Sequence, residues 1–141
     1  MEKIAHSLHA EVFLYPTEDV KKVKKALDFL FPNAKFSSEK IESFYGPEIT
    51  KFEYFTKKQS EITKFLKKIL DDFKIHKEIF HTIDDRLNEK GDFFLRFNKQ
   101  AAYNGKLKLA YHGDIIKVTI KIVTFPFSLK KTKEKITELF K

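Results

Sequence analysis

The hydrophobic positions of this 141-residue chain change period several times, and each change marks an element. From Leu8 to Tyr15 apolar and polar residues alternate, with Leu8, Ala10, Val12 and Leu14 on one side, the two-residue period of a half-buried strand. Pro16 stops it, because proline has no N–H to offer a ladder. Thr17 predicts a helix N-cap, with Glu18 and Asp19 in the first turn where the helix dipole favours anions. Val20, Val23, Ala26, Leu27 and Leu30 follow at helical spacing until Pro32. Asn33 to Lys40 is polar and predicts a loop, and Ile41 to Tyr45 and Ile49 to Phe55 predict strands around a Gly46-Pro47 turn. With Ser60 as cap, Ile62, Phe65, Leu66, Ile69, Leu70 and Phe73 form the stripe of an amphipathic helix. A further helix is predicted over His76 to Asn88, with Ile79, Ile83 and Leu87 inward and Gly91 ending it.

Phe93 to Phe97 predicts a compact aromatic strand. The period returns to two in Lys106 to Tyr111, where Leu107, Leu109 and Tyr111 oppose Lys106 and Lys108. After His112-Gly113-Asp114, Ile116, Val118, Ile120 and Ile122 share one face and Lys117, Thr119 and Lys121 the other, which predicts a hairpin. Pro126 ends that strand, and Ser128 caps a last helix with Leu129, Ile136, Leu139 and Phe140 inward. The order predicts an α+β fold: one domain over residues 1–141, a two-layer sandwich with a mainly antiparallel sheet and helices on one face.

Charge changes what this frame is for. The formal net charge is +8 and the isoelectric point about 9.5, which attracts polyanions. Only Arg86 and Arg96 are arginines; the other basic residues are lysines, which suit phosphate better than bidentate reading of base edges. With no cysteine, disulfides, thiolate metal sites and a cysteine nucleophile are excluded. No apolar run reaches the roughly 18–20 residues of a membrane span. Met1 to Ala10 does not read as a signal peptide, and a cytoplasmic protein is expected.

Candidate chemistry concentrates in two places. If the hairpin buries its apolar face, alternation gathers Lys106, Lys108, Lys117 and Lys121 on the other. That cluster is either a phosphate platform or a lysine-guarded solvated edge, and spacing alone does not choose. The connection Asn98 to Gly105 combines amides, a lysine, a ring and small residues. Lys99 there could hold a phosphate, Tyr103 could stack on an unpaired base, and Asn98 and Gln100 could bond sugars or base edges. The lysines around the first helix, Lys21, Lys22, Lys24 and Lys25, read as a solvated face, with extension of the electrostatic footprint as the other reading. Catalysis finds little support. Asp84 and Asp85 diverge by about 100° on a helix, His76 and His81 miss the i, i+4 metal spacing, and no phosphate-binding loop or nucleophile motif is present.

The stretch Phe94 to Gly105, with Lys99-Gln100-Ala101-Ala102 and Gly105 at its centre, followed by Asp114 to Val118, resembles the archaeal RNA-binding family described as a predicted exosome subunit. Pro16 to Asp19 and Tyr45 to Ile49 carry the same resemblance. It implies a fold like the ribosomal protein that binds five-S RNA, likened also to double-stranded-RNA-binding domains. It implies RNA binding without enzymatic activity, as an accessory factor in RNA processing or the exosome. The expected RNA-binding residues are Asn98, Lys99, Gln100, Tyr103, Lys106, Lys108, Lys117 and Lys121. No catalytic residue, metal or other cofactor is expected. The expected partners are RNA and RNA-processing proteins, with a non-enzymatic adaptor as the alternative role and a homodimer left open.

Overall fold

The computed structural model describes residues 5–43, 46–122, 124 and 126–141. Five strands, β1 (Ala5–Leu14), β2 (Ser37–Ser43), β3 (Gly46–Thr56), β4 (Asp92–Asn98) and β5 (Ile115–Ile122), form one antiparallel sheet in the order β2-β3-β1-β5-β4. Among the described residues there are six helices: α1 (Val20–Leu30), α2 (Gln59–Leu70), α3 (Phe73–His81), α4 (Ile83–Arg86), α5 (Lys99–Tyr103) and α6 (Leu129–Phe140). The α+β class follows from the alternation. Phe93, Leu95 and Phe97 of β4, and Ile116, Val118, Ile120 and Ile122 of β5, are buried while the residues between them are not.

The chain divides into two compact units. One takes the N-terminal stretch to Leu8, Thr56–Leu95 and Thr119–Lys141; the other takes His9–Phe55 and Arg96–Val118. In the first, Ile62, Phe65, Leu66 and Ile69 of α2, Ile75 and Ile79 of α3 and Ile136 and Phe140 of α6 are buried, and the Phe93 and Phe140 rings lie 5.9 Å apart. His76 Nε2 donates to the Phe140 carbonyl at 2.6 Å. In the second, Val23, Ala26, Leu27 and Leu30 of α1 are buried. Phe31, Phe36 and Tyr54 form a ring cluster with centroids 5.4 to 6.1 Å apart.

Several boundaries move from the sequence prediction, each for a local reason. Asp19, not Thr17, caps α1, accepting from the Lys21 N–H at 2.9 Å. The predicted polar loop before Ile41 is partly β2, because Ser37 to Ser43 pair antiparallel with β3; inter-strand hydrogen bonds override a loop-like composition. Gly46 pairs with Ser43 and opens β3, so Gly46-Pro47 belongs to a strand and not to the predicted turn. Lys58 occupies the N-cap of α2 in place of Ser60. The α2 stripe stops at Leu70, and Asp72 opens α3 by accepting from the Ile75 N–H at 3.1 Å. Phe73, expected inward, is therefore 77% exposed. The predicted His76 to Asn88 helix breaks at Thr82, whose hydroxyl donates back to the Glu78 carbonyl at 2.8 Å. Leu129 is exposed, and Thr132 takes the buried place on α6.

Candidate nucleic-acid interface

Asn98 to Gly105, predicted as a loop, is a short helix. Asn98 has an extended backbone and its side-chain oxygen accepts the Ala101 N–H at 2.9 Å, so it is the N-cap of α5. That bond engages the oxygen of the amide expected to reach a sugar or a base edge. The helix ends where Gly105 takes φ +72° and the Lys106 N–H returns to the Ala101 carbonyl at 2.8 Å. α5 packs on α1, and Ala102 lies fully inside. A small side chain there lets two helices approach closely.

Lys99 does not hold a phosphate in this arrangement. It is 2% exposed, and its ammonium donates to the Phe13 carbonyl at 2.8 Å, Glu18 Oε1 at 2.7 Å and Asp114 Oδ2 at 2.8 Å. An ammonium has three N–H donors, so all are engaged. Lys99 ties the end of β1, the entry of α1 and the turn before β5 to the start of α5. Sequence could not show this, because each partner is distant along the chain.

What remains outside is a surface built on Tyr103. The ring is half-buried, with Lys22 Nζ 5.3 Å and Lys25 Nζ 5.1 Å from its centroid. Both distances are within cation–π reach. Tyr103 also lines two neighbouring clefts. The first, about 260 Å³, is bordered by Asp19, Lys22 and Gln100. The second, about 420 Å³, is bordered by Lys25, Asp28, Ala102 and Asn104. The sequence pattern groups Lys22 and Lys25 with a solvated helix face. Their i, i+3 spacing beside the inward Val23 and Ala26 is the only hint that one lysine edge of α1 meets another element.

The lysine hairpin is corrected as well. Lys106 to Tyr111 forms no strand and does not pair with β5. It runs beside β4 through an isolated Phe97–Leu109 bridge, with the Asn98 N–H bonded to the Lys108 carbonyl and the Ala110 N–H to the Arg96 carbonyl, both at 2.8 Å. β4 thus lies between this segment and β5, and the four lysines are not cross-strand neighbours. Leu109 still buries, but Tyr111, expected on the same face, is 63% exposed, so without the predicted partner the alternation holds only at the bridge. Lys106 and Lys108 are exposed in the same unit as Tyr103, Lys117 is half-buried on β5 in that unit, and Lys121 belongs to the other unit.

The acidic and histidine candidates do not gather. Asp84 pairs with Lys133 at 2.6 Å, Asp85 is exposed, and Asp92 accepts from Asn88 Nδ2 at 3.2 Å. Among the described residues, His9, Glu11 and Glu53 are the one trio of such side chains close enough to share a metal ion. Glu53 is already engaged, with Lys51 Nζ on Oε1 and His9 Nε2 on Oε2, each at 2.8 Å. The Lys51 hydrogen bond, then that of His9, holds the Glu53 carboxyl below its ordinary range, and the same bond to Glu53 raises Lys51. No helix among the described residues is long and apolar enough to cross a membrane.

Known proteins share this architecture. A family profile described as RNA binding matches residues 7–122. The RNA-binding protein PAB1135 of Pyrococcus abyssi is 30% identical, over 95% of this chain and 92% of the relative. Among solved structures, AF2318 from Archaeoglobus fulgidus, a DUF54 protein, superposes with a TM-score of 0.86 at 34% identity, covering 97% of this chain and 99% of that one. Mth689 from Methanothermobacter thermautotrophicus, also a DUF54 protein, gives 0.86 at 28% identity, covering 98% and 99%. A profile match across most of the chain, on a fold shared nearly end to end, shows that this protein belongs to the RNA-binding family that includes the archaeal DUF54 proteins.

Proposed function

We propose that this chain binds RNA through the surface formed by α1 and α5, as a non-catalytic accessory factor in RNA processing. The observation that carries the reading is Tyr103 flanked by Lys22 and Lys25, an aromatic ring and two cations side by side on an exposed helix pair. Gln100, Lys106 and Lys108 extend it, all exposed in the same unit. Lys99 and Asn98 support this surface from behind and do not touch RNA in the proposal. Lys117 and Lys121 are not required by it.

The chemistry is neutralisation of phosphates by lysine ammonium groups, with little base-specific reading. Lys22, Lys25, Lys106 and Lys108 engaging about four phosphates give a log–log salt slope of about −2.8 on single strands. Binding of a labelled RNA measured across salt concentrations tests this. An affinity that hardly moves between low and moderate salt would overturn it. The link to an RNA-processing assembly such as the exosome rests on family resemblance. Pull-downs before and after nuclease treatment address it: protein partners released on digestion support RNA-mediated association, and partners retained make the chain an adaptor.

A further inference from the structure

Resting on the proposed α1–α5 interface, we infer that the RNA recognised there is unpaired, with consecutive nucleotides seated on either side of Tyr103. The two clefts are built alike. Each has one α1 lysine, Lys22 in the first and Lys25 in the second. Each has one side-chain amide from α5 or its C-cap, Gln100 in the first and Asn104 in the second. Tyr103 is the residue they share. The spacing i, i+3 on one helix and i, i+4 on the other produces this repeat.

The acids in the clefts indicate what part of the RNA enters. Glu18 and Asp19 border the first, where the ammonium of Lys99 is already held by Glu18, and Asp28 borders the second, so neither cleft suits a phosphate. Carboxylates and amides do suit the amino groups of bases and the hydroxyls of ribose. The phosphates are left to the lysine ammonium groups at the rims. The volumes, about 260 and 420 Å³, lie just below and in the lower part of the roughly 300–1,000 Å³ of small-molecule sites, room for part of a nucleotide rather than a helix. Gly105, with nothing within 4 Å of where a Cβ would stand, leaves the second cleft open at its end. A ring beside such clefts offers a stacking face that any base can use, and a paired base inside a duplex cannot reach it.

The test compares a hexamer of oligouridylate, a blunt RNA duplex and three variants. The variants are Tyr103→Phe, Tyr103→Leu and the pair Lys22→Gln with Lys25→Gln. The hexamer is expected to bind at least tenfold tighter than the duplex. Tyr103→Phe should keep that affinity, and Tyr103→Leu should lose about fivefold to a hundredfold with its salt slope unchanged. The Phe variant shows that loss in the Leu variant is loss of the ring, since both alter the hydroxyl. Equal affinity for duplex and hexamer, or a Leu variant that binds like the parent, overturns the inference. If the lysine pair still weakens binding in that case, the proposed interface stands and only the stacking fails. If the lysine pair changes nothing, the interface itself is wrong.

Discussion

Lys99 shows how a basic residue in a basic protein can have an inward task. Its three acceptors come from three separated stretches of chain, and its ammonium lies almost wholly out of water. A buried ammonium is tolerated only when its donors are satisfied, and removing one partner of such a group is costly. Lys99→Met keeps the volume and deletes the charge, leaving Glu18 and Asp114 to repel each other and the Phe13 carbonyl short of a donor. Because both carboxylates retain some exposure to solvent, the expected loss is about 2–3 kcal/mol rather than more. Thermal unfolding should fall by roughly 6–9 °C. An unchanged melting temperature would mean that the clamp adds nothing. Gly91 is a second such position: at φ +86° an added Cβ would sit 2.9 Å from the Phe127 ring. Gly91→Ala should cost about 1–2 kcal/mol from the left-handed backbone alone, measurable by urea unfolding.

At the scale of elements, short local bonds decide where helices start and an ion network joins two strands. α5 is only five residues long, too short to persist without its cap and its packing on α1. Asn98→Ala should cost about 1 kcal/mol, whereas Asn98→Asp should retain most of the cap. On β1 and β3 the His9–Glu53–Lys51 chain makes stability depend on pH. Glu53 titrates below its ordinary 4.5 in the folded state, so its contribution is present above that value and disappears as pH falls through the lowered one. Lys51 titrates above its ordinary 10.5, so its contribution is present below that value and disappears as pH rises through the raised one. The difference in melting temperature between parent and Glu53→Gln should therefore be widest at intermediate pH and close in acid. A difference that stays constant from neutral pH to well below the ordinary 4.5 of a glutamate would contradict the coupling.

For the whole molecule, the net charge of +8 supplies attraction to a polyanion over a distance, and the position of the lysines decides what that attraction does. Lysines that touch phosphate leave a signature that merely solvated ones do not. Lys106→Ala together with Lys108→Ala should flatten the salt slope by about 1.4, near 0.7 for each phosphate no longer neutralised. Lys64→Ala with Lys67→Ala, on the exposed side of α2, should lower affinity slightly at low salt and leave the slope nearly unchanged. Equal slopes for both pairs would mean the charge acts only as a diffuse field.

The sequence by itself determined the class of fold and the class of ligand. Period-two runs in β1 and β5 and the stripes of α1 and α2 are local patterns, and burial of one face follows from them wherever the chain goes. Charge composition pointed to a polyanion, and the family resemblance carried by the Lys-Gln-Ala-Ala stretch narrowed it to RNA. Tertiary structure decided what local pattern cannot encode. It made a strand of polar Ser37 to Ser43 by giving it β3 to pair with, and placed Lys106 to Tyr111 beside β4 instead of β5. Above all it exchanged the roles of the lysines. Lys99, the residue whose pattern favours phosphate, went inside because Glu18, Asp114 and the Phe13 carbonyl converge on it. Lys22 and Lys25, ordinary helix surface by spacing, came to flank Tyr103 because α5 docks on that side of α1. The task of a charged side chain depends on which acceptors lie within about 3 Å of it, and only the folded chain fixes that distance.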